Sequence, residues 1–529
     1  MANHNEAEFL EELVNSPTEG KNSKDYMANL ARKHGLMPYQ AENISSFYGQ
    51  NEGKVKVCRG LPCRLKGEKA GNGMLGGIAD EAIEEVSCLG YCDHAPVTWS
   101  NGTYYQIGDG GTRELDLHTR NGDFRQIGAL REYLDSGGFG ILLEVLSKSN
   151  RTEVLQLVHD FNLKGFGGSG FPTYVKWKAV SEHGEHEKYL IVNAHEGEPG
   201  TFKDRILMES NPFELIEGAF LSALVVGATS IVIALKHEYL EAERALQKAL
   251  LSSKEYLEGE VGGEKLPGMK IVRIPGHYIT GEESALMEAI EGKRSEPRLR
   301  PPYPADVGLY GKPTLIDNVE TLIYFLGRMR DFSRTGRIVA GEKAYCLTGD
   351  VKNPGSYRLP YGTSSTELLE KKGGTSITGL KALLPGGLSG GILPAEKGNV
   401  NLDFDSVKAY GAGMGTGAMI AISKERCMVD VMEGVESFFE RESCGKCMPC
   451  RYGTGELSGL FSKLRKGEAT SEDIESGKNT ADVMLKGSIC GLGQASAKMF
   501  IDSLKYFSKE IEEHTSGNCP AKICFEGGR

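Results

Sequence analysis

The residues with the clearest chemistry are three cysteines with two residues between each, in the segment Cys444-Gly-Lys-Cys447-Met-Pro-Cys450. Three thiolates at this spacing can hold three corners of an iron–sulfur cubane, and the distant Cys490 can supply the fourth ligand. A tetrahedral zinc site of four cysteines is the alternative. Zinc ribbons typically pair two separated CxxC motifs, so the pattern favours a [4Fe–4S] cluster.

A second set of cysteines forms two close pairs, Cys58 with Cys63 and Cys88 with Cys92. Each pair follows a predicted strand, Val55–Val57 or Glu85–Ser87, which places both pairs at one end of a small sheet. Four thiolates suit a [2Fe–2S] cluster or a zinc ion. The spacing alone favours iron–sulfur only slightly, so both alternatives stay open.

The C-terminal tail carries a third set of metal-binding residue types: His514, Cys519 and Cys524. Together with Cys427 they make three cysteines and one histidine, the composition of a closed structural zinc site. Unpaired tail thiols are an equally good interpretation of the tail taken alone. Cys346 stands in an apolar run and is expected to be a buried core thiol.

Four glycines within six positions form a loop that could bind a ligand: Gly165, Gly167, Gly168 and Gly170. Backbone without side chains lets N–H groups approach a phosphate or a flat ring system. The loop does not match a Rossmann fingerprint, and a purely structural loop fits it equally well. Lys176 and Trp177 follow, which supplies a cation for phosphate and an aromatic surface.

Two acidic segments accompany the glycine loop. The first segment follows the predicted strand Tyr189–Val192 and contains Asn193, Glu196 and Glu198. Ligands of open α/β sheets bind at this end of parallel strands, although such carboxylates could also face water. The second segment begins an apparent helix and contains Tyr278, Gly281, Glu282 and Glu283. Acidic groups there could equally be helix caps.

Length and composition limit the classes of protein to which the chain can belong. A chain of 529 residues exceeds what one hydrophobic core serves, so several domains are expected. The net charge of −11 gives no electrostatic argument for nucleic acid or an anionic membrane. The acidic N-terminus lacks the features of a secretory signal, so a cytoplasmic location is expected. Cysteines in such a chain are more often metal ligands or redox groups than disulfides.

One uncharged stretch, residues 218–235, is almost long enough to cross a bilayer. Gly227 divides it into an Ala/Leu-rich half and a β-branched half, Ile231-Val232-Ile233. That pattern predicts a helix that stops at the glycine and then a buried strand of an α/β sheet. We therefore expect no membrane span.

The rest of the sequence predicts the elements that position these residues. In chain order the predicted regions are N-terminal helices at 1–50, a small α/β module at 51–108, a linker that wraps rather than packs at 109–150, a layered α/β domain at 151–335, a small β-rich insert at 336–425, a helical domain at 426–513 and the tail 514–529.

In this order the motifs resemble the NADH-binding flavoprotein subunit of respiratory complex I and its relatives in NAD-linked soluble hydrogenases and formate dehydrogenases. The matching stretches are Gly165–Trp177, Asn193–Arg205, Tyr278–Gly292, Pro297–Thr321 and the motif from Ser443 to Thr454 with the ICGLGQ segment. Residues 30–105 resemble the companion thioredoxin-like [2Fe–2S] subunit. The chain thus resembles a fusion of the two subunits.

The resemblance implies a multidomain α/β and α+β fold. It implies a thioredoxin-like ferredoxin domain, a Rossmann-like FMN and NADH domain, a β-grasp insert and a C-terminal helical bundle with the [4Fe–4S] cluster. It also makes a [2Fe–2S] cluster the better interpretation of the cysteine pairs. The FMN contacts that it implies are at Gly165, Gly167, Lys176, Asn193, Glu196, Gly281, Glu282, Asp317 and Asn318, with Gly168, Gly170 and Tyr278 in the same segments.

The same resemblance implies where NADH would lie. Phe171 and Tyr303 would stack on the adenine, Glu283 would lie near the adenosine ribose, and Glu198 would lie near the nicotinamide as the candidate catalytic residue. A carboxylate at Glu283 would repel a 2′-phosphate, which favours NAD over NADP.

The sequence departs from the family pattern at three positions. His195 stands where an acidic residue is common, Asp317 replaces the first asparagine of a pair, and Ala179 replaces an aromatic residue found in some relatives. These departures leave the expected fold unchanged. They affect the expected flavin potential and NADH affinity.

The expected activity is hydride transfer between NAD(H) and FMN, followed by single-electron transfer to iron–sulfur clusters. The expected partners are other subunits of a redox complex, namely an iron–sulfur subunit and the catalytic subunit of an NAD-dependent hydrogenase. The same role in a formate dehydrogenase or in complex I is the alternative. A non-catalytic iron–sulfur conduit without flavin and a zinc-dependent scaffold are the alternatives from other classes.

Overall fold

A computed structural model describes residues 12, 24–34, 36, 55–67, 83–108, 111–117, 122–260 and 266–525. Of the N-terminal helices expected within residues 1–50, one lies in the described part of the chain. The rest of that expectation lies outside the described residues.

The strands of the described residues follow in chain order. They are β1 Val55–Cys58, β2 Ile83–Val86, β3 Val97–Ser100, β4 Thr103–Gly108, β5 Gly111–Glu114, β6 Tyr189–Ala194, β7 Ser230–Lys236, β8 Gly268–Ile274, β9 Thr314–Asn318, β10 Glu342–Gly349, β11 Gly355–Pro360, β12 Leu380–Leu384, β13 Leu393–Pro394 and β14 Ala418–Ser423.

The α-helices are numbered in the same way. They are α1 Lys24–Lys33, α2 Leu61–Gly67, α3 Leu130–Asp135, α4 Gly140–Lys148, α5 Arg151–Asp160, α6 Thr173–Glu182, α7 Lys203–Ser210, α8 Pro212–Val226, α9 Leu240–Glu260, α10 Glu283–Ile290, α11 Val319–Thr335, α12 Phe404–Ala409, α13 Met428–Glu442, α14 Met448–Lys466, α15 Ser471–Gly487 and α16 Gly491–Thr515.

The chain divides into two compact units. The first unit contains Met1–Glu52, Asp123–Glu196 and Lys203–Lys343. The second unit contains Gly53–Gly122, Gly197–Phe202 and Ala344–Arg529.

The first unit is built on a four-stranded sheet in the order β8-β7-β6-β9, and every neighbouring pair is parallel. Its strands are apolar along most of their length because helices cover a parallel sheet on both faces. Ile191, Val232 and Ile316 contribute to a buried core with residues of α10. The parallel arrangement brings the C-terminal ends of β6 and β9 to the same edge, where Asn193 pairs in register with Asn318.

The uncharged stretch 218–235 folds as the sequence predicts. Helix α8 ends at Gly227, which adopts a left-handed conformation with φ of 74°, and the chain continues into β7. Glycine adopts this conformation without a Cβ penalty, so it stops the helix cleanly. Among the described residues, no helix combines the length and hydrophobicity needed to span a bilayer.

Residues 109–150 differ from the expected linker. Strand β5 joins the small sheet, and α3 and α4 pack in the first unit through the buried side chains of Tyr133, Phe139 and Leu142. Glu217 of α8 accepts hydrogen bonds from the Tyr133 hydroxyl and from the Phe139 backbone N–H. The glycines in this segment indicated a loop, but aromatic and aliphatic residues between them supply enough apolar surface to pack.

The second unit contains a small sheet in the order β2-β1-β3-β4-β5. Strands β1 and β2 are parallel, so their C-terminal ends lie at one end of the sheet. Cys58 is the last residue of β1, and Cys88 comes just after β2. This arrangement confirms that both cysteine pairs lie at the same end of the sheet.

A second sheet in this unit has the order β11-β10-β14-β12-β13, with β10 and β14 parallel and β12 antiparallel to both of its neighbours. Its core contains Tyr345, Leu383 and Leu402. Cys346 is fully buried in β10, which confirms the expectation of a core thiol. The β-rich region predicted from the glycine and proline turns is therefore present.

Helices α13 to α16 form a bundle at the C-terminal end of the chain, in agreement with the predicted helical domain. Glu436 of α13 lies fully buried within it, where the Ser496 hydroxyl of α16 donates to one carboxyl oxygen at 2.6 Å. The other oxygen has no hydrogen-bond partner among the described residues. Burial raises the pKa of Glu436 to about 8, so the carboxyl is mostly neutral at pH 7.

This burial predicts a pH-dependent effect of the substitution Glu436→Gln. Between pH 5 and 8 the unfolded chain loses the Glu436 proton whereas the folded chain keeps it, so native stability falls as pH rises. A neutral amide removes this penalty, and Glu436→Gln should stabilise the protein by about 2 kcal/mol at pH 7. Thermal unfolding of both proteins at pH 5 and pH 8 measures the difference.

The matched control is Glu440→Gln, one turn further along the same helix, where the side chain is exposed. Its stability should differ little from that of the native protein at either pH. An unfolding temperature of Glu436→Gln that stays equal to or below the native value at pH 8 contradicts the buried neutral carboxyl.

Candidate cofactor and metal sites

The glycine loop is a narrow hairpin directly before α6. The Gly165 N–H donates to the Phe171 carbonyl at 2.9 Å, and Lys164 and Pro172 form a bridge. Gly168 and Gly170 have φ values of 128° and 62°, which side chains rarely allow. These two positions of the loop therefore favour glycine, and between them only the small side chain of Ser169 is present.

The loop is anchored from its buried side. Phe166 is buried, and its backbone N–H donates to the Thr321 hydroxyl at 2.9 Å. Its ring packs edge-on against Tyr324, and the Lys343 ammonium lies 4.6 Å from the ring centroid. On the other side, a Cβ on Gly167 would lie 3.2 Å from that of Asn318. The loop is thus fixed while the glycine at 167 remains exposed.

Lys176 lies in an ion-pair network with two carboxylates. Its ammonium is 2.6 Å from a Glu283 oxygen and 3.6 Å from an Asp317 oxygen. The Trp177 indole N–H donates to the other Asp317 oxygen at 2.6 Å. Burial raises the pKa of Asp317, but Lys176 and the indole offset that cost. The Asp317 carboxylate is therefore stabilised by two residues of α6, through the charge of Lys176 and the indole N–H of Trp177.

Asn193 connects β6 to the segment around Gly281. Its side-chain N–H donates to the Gly281 carbonyl at 3.0 Å, and its amide oxygen accepts from the His195 backbone N–H at 3.2 Å. The structure thus brings together two of the sequence-predicted segments, 193–196 and 278–283.

Glu196 caps a helix of the first unit. One oxygen accepts from the Asp204 N–H at 3.0 Å, and the other accepts from the Arg205 N–H at 3.2 Å and the Tyr239 hydroxyl at 3.1 Å. The two N–H donors belong to the first turn of α7, where unpaired N–H groups favour a carboxylate. Burial and the neighbouring Asp204 raise the pKa of Glu196. Its contacts within the chain position the end of β6.

A buried charge network that the sequence did not predict adjoins these residues. Lys203 contacts Asp204 at 2.6 Å and Glu320 at 3.2 Å, and Lys343 contacts the same Glu320 at 2.6 Å. The Asn318 side-chain amide donates to Asp204 at 2.6 Å. The one available signal was the charged pair Lys203-Asp204 beside apolar residues, which alone cannot show its partners.

The segment around Glu282 contains a helix cap. Glu282 accepts from the Ser284 and Ala285 N–H groups, so the capping alternative is confirmed for this residue. Tyr278 lies in the short turn Tyr278–Gly281. Phe171 is 45% exposed and Tyr303 is 56% exposed, which leaves both rings available for stacking on a flat ligand.

Glu198 lies in the second unit, within the segment Gly197–Phe202. One oxygen accepts from the Leu388 N–H at 2.6 Å and the Ser389 N–H at 3.1 Å, and the other accepts from the Ser389 hydroxyl at 2.9 Å. The contacts hold the side chain in one orientation, which sequence spacing could not predict.

The cysteines of the first set lie at helix ends. Cys444 follows α13, Cys447 is the N-cap of α14, and Cys490 is the N-cap of α16. Helix N-termini are the positive ends of helix dipoles and favour an anionic iron–sulfur cluster. Cys444 and Cys450 are buried, whereas Cys447 and Cys490 are partly exposed. Burial raises the pKa of Cys450 to about 11, so the metal-free thiol is protonated at neutral pH and must lose its proton to bind a metal.

The paired cysteines converge at the end of the small sheet. The sulfur atoms of Cys88 and Cys92 are 3.6 Å apart, and the Cys58 thiol lies in reach of Cys63 and Cys88. All four are buried. Two close pairs beside each other fit the ligands of a [2Fe–2S] cluster, in which each iron takes two thiolates.

The third set of metal-binding residues comes together in the structure. The ligand atoms of its four residues lie within 4.8 Å of one another: Cys427, His514, Cys519 and Cys524. The Cys427 sulfur is 3.3 Å from His514 Nε2 and 3.6 Å from the Cys524 sulfur. Tetrahedral zinc with bonds of about 2.3 Å separates its sulfur ligands by about 3.7 Å. His514 Nδ1 donates to the Glu510 carbonyl at 2.7 Å, which leaves Nε2 for a metal. The set fits one ion better than a cluster.

Two regions of the chain match known protein families. Residues 158–325 match the Nuo51 FMN-binding domain, and residues 430–514 match the NADH-ubiquinone oxidoreductase-F iron–sulfur binding region. The first region contains the glycine loop together with Thr321 and Tyr324, which contact Phe166. The second contains the cysteines from 444 to 490.

Whole proteins are also similar to the chain. An NADH-quinone oxidoreductase F subunit of Rhizobium meliloti is 39% identical, over 76% of this chain and 98% of that protein. The HndC subunit of an NADP-reducing hydrogenase of Solidesulfovibrio fructosivorans is 33% identical, over 78% and 86%. A crystal structure of an NAD+-reducing [NiFe]-hydrogenase in the H2-reduced state matches with a TM-score of 0.82 and 28% identity, over 96% of this chain and 92% of that one.

The third cysteine set predicts a metal content that can be measured. Protein purified without added chelator should contain about one zinc per chain, separate from its iron. Cys519→Ala should remove the zinc and leave the iron content unchanged, because these ligands belong to a different site. Elemental analysis of the two proteins measures both metals.

Cys346→Ser is the matched control, since this thiol is equally buried but has no part in the set. It should change neither metal. Native protein without zinc, or zinc that persists in Cys519→Ala, contradicts the assignment.

Proposed function

Because the chain belongs to the family of NADH-quinone oxidoreductase F subunits, we propose that it is the NADH-oxidising subunit of an NAD-dependent hydrogenase. The observation that carries this choice is the extent of similarity. A hydrogenase chain of known structure matches 96% of this chain with a TM-score of 0.82. The higher sequence identity of the Rhizobium protein favours the second candidate, the same role in a complex I-type enzyme.

The chain is an NADH dehydrogenase flavoprotein subunit with FMN and a [4Fe–4S] cluster, and it works with other subunits of a redox complex. FMN, when bound, accepts a hydride from the nicotinamide ring and passes its electrons singly to iron–sulfur clusters. The protein residues supply binding, orientation and electrostatics. No side-chain acid or base is needed for the hydride step.

The proposed FMN residues form two groups in the first unit. The backbone of the glycine loop, which is exposed at Gly167, would lie against the flavin, with Lys176 as the nearby cation. Asn193, Gly281 and Asn318 would line the other side, supported by the hydrogen bond from Asn193 to Gly281. Three acidic residues would support FMN binding mainly by positioning neighbouring residues: Glu196, Glu282 and Asp317.

The proposed nucleotide residues are separate from these. The exposed rings of Phe171 and Tyr303 would stack on the adenine, and Glu283 would discriminate against a 2′-phosphate. The ion pair with Lys176 keeps the pKa of Glu283 below its ordinary value although burial opposes ionisation, which supports a negative charge there. Glu198 is the proposed catalytic residue and would lie near the nicotinamide.

The proposed metal centres complete the electron path. Cys444, Cys447, Cys450 and Cys490 would hold the [4Fe–4S] cluster as the first acceptor. Cys58, Cys63, Cys88 and Cys92 would hold a [2Fe–2S] cluster as a side store, and Cys427, His514, Cys519 and Cys524 would hold zinc. The proposed domains are those of residues 51–108, 151–335, 336–425 and 426–513, and the proposed location is the cytoplasm.

Purification of the native complex under anaerobic conditions tests the hydrogenase assignment. A tag on this chain should recover a hydrogenase catalytic subunit, and the complex should reduce NAD+ with H2. Cys447→Ser should abolish that activity because it removes a ligand of the cluster that carries electrons, whereas Cys346→Ser should retain it. The ultraviolet absorbance of NADH follows the reaction.

Other outcomes distinguish the alternatives. A complex that oxidises NADH with a quinone, and contains no hydrogenase subunit, would place the chain in a complex I-type enzyme. Reduction of NAD+ by formate would indicate a formate dehydrogenase.

A further inference from the structure

A serine hydroxyl contacts one of the cysteines of the first set. Ser443 Oγ lies 3.3 Å from the Cys450 sulfur. Both residues are held by helices: Ser443 is the C-cap of α13, and Cys450 is a buried residue in the first turn of α14. These two helices pack against each other in the C-terminal bundle. Their packing therefore sets the position of the hydroxyl beside the sulfur.

The proton of this hydroxyl is available to the sulfur. The Gly445 N–H donates to Ser443 Oγ at 3.4 Å, so this contact uses the hydroxyl as an acceptor. A cysteine that binds iron is a thiolate, which has no proton and can only accept a hydrogen bond. With Cys450 in that state, Ser443 must therefore be the donor of an O–H···S bond.

A donor at this position affects the two redox states of a cluster unequally. Reduction adds one negative charge to a [4Fe–4S] cluster and its thiolates, and a hydrogen-bond donor stabilises the more negative state more strongly. Cys450 is 5% exposed, so little water competes for its sulfur, and the O–H dipole acts in surroundings of low polarity. The hydroxyl therefore favours the reduced state.

We propose that the Ser443 hydroxyl donates a hydrogen bond to the Cys450 thiolate and thereby raises the reduction potential of the [4Fe–4S] cluster. This inference rests on the proposed cluster ligands, Cys444, Cys447, Cys450 and Cys490. Ser443 acts through Cys450, as a positioning residue, and sets how far the cluster accepts electrons from the flavin.

Substitutions at position 443 separate the hydroxyl from the shape of the side chain. Ser443→Ala should lower the ratio of reduced to oxidised cluster at a fixed ambient potential by about threefold to tenfold, and tenfold corresponds to about 59 mV for one electron. Ser443→Thr keeps the hydroxyl and should stay close to the native potential. Ser443→Val has nearly the same shape as threonine without the hydroxyl, so its potential should fall as that of the alanine variant does.

The matched control is Ser458→Ala, in the same helix as Cys450. Ser458 is buried at 7% exposure, and its hydroxyl lies 3.4 Å from that of Ser437. Its loss removes a hydroxyl from the bundle but no donor from a ligand sulfur. The cluster potential of this variant should therefore equal that of the native protein.

A redox titration of the full-length protein, followed by low-temperature EPR, measures the cluster potential. Electron–nuclear double resonance of the reduced cluster gives a second readout. It should show a proton coupling in the native protein that disappears after exchange into D2O and is absent from Ser443→Ala. Dithionite is the reductant in both experiments, so neither readout depends on enzyme activity.

Equal potentials of Ser443→Ala and native protein overturn the proposal. Equal losses in Ser443→Thr and Ser443→Val assign the effect to side-chain shape and also overturn it. If neither the alanine nor the valine variant assembles a cluster, the native spectrum decides, and a reduced cluster without an exchangeable proton coupling overturns the proposal. Native protein that shows no [4Fe–4S] signal with dithionite contradicts the proposed cluster ligands instead, so the two failures are distinguishable.

Discussion

Compensation of buried charge is the constraint on which the rest of the structure depends. Burying an unpaired ammonium or carboxylate is costly, so the charges near the glycine loop occur in sets. Lys203 and Lys343 neutralise Asp204 and Glu320, and Lys176 neutralises Asp317 with help from Trp177. These sets hold the loop and the ends of β6 and β9 in place. The glycine loop is therefore held in position by contacts within the chain before any ligand binds.

The sequence predicted the sites best where the chemistry is local. The motif of Cys444, Cys447 and Cys450 lies within one short segment, and the end of helix α8 is set by a single residue, Gly227. Most hydrogen-bond partners that are distant in sequence were not predicted, because spacing carries no information about them. The Glu198 contacts with the backbone of residues 388 and 389 are of this kind. Cys427 is the exception, since residue types alone grouped it with the tail ligands. The packing of residues 130–148 was not predicted because the glycines of this segment indicated a loop, although apolar residues lie between them.

The departures from the family pattern have physical consequences of different kinds. Asp317 brings a negative charge that Lys176 and the Trp177 indole stabilise, so the carboxylate forms part of a network instead of standing alone. His195 is neutral at pH 7, because burial lowers its pKa to about 4. The negative charge of Asp317 thus lies near Lys176, and the neutral His195 ring lies near Gly281. The two departures therefore change the charge distribution of the site.

The most direct test of the account is an anaerobic NADH titration of the isolated chain, followed by flavin absorbance and low-temperature EPR. We predict that NADH bleaches the flavin and that the signal of a reduced [4Fe–4S] cluster grows as electrons leave the flavin. Flavin that stays oxidised contradicts NADH oxidation at this site. Flavin that bleaches while the cluster stays oxidised, although dithionite reduces it, contradicts electron transfer between them.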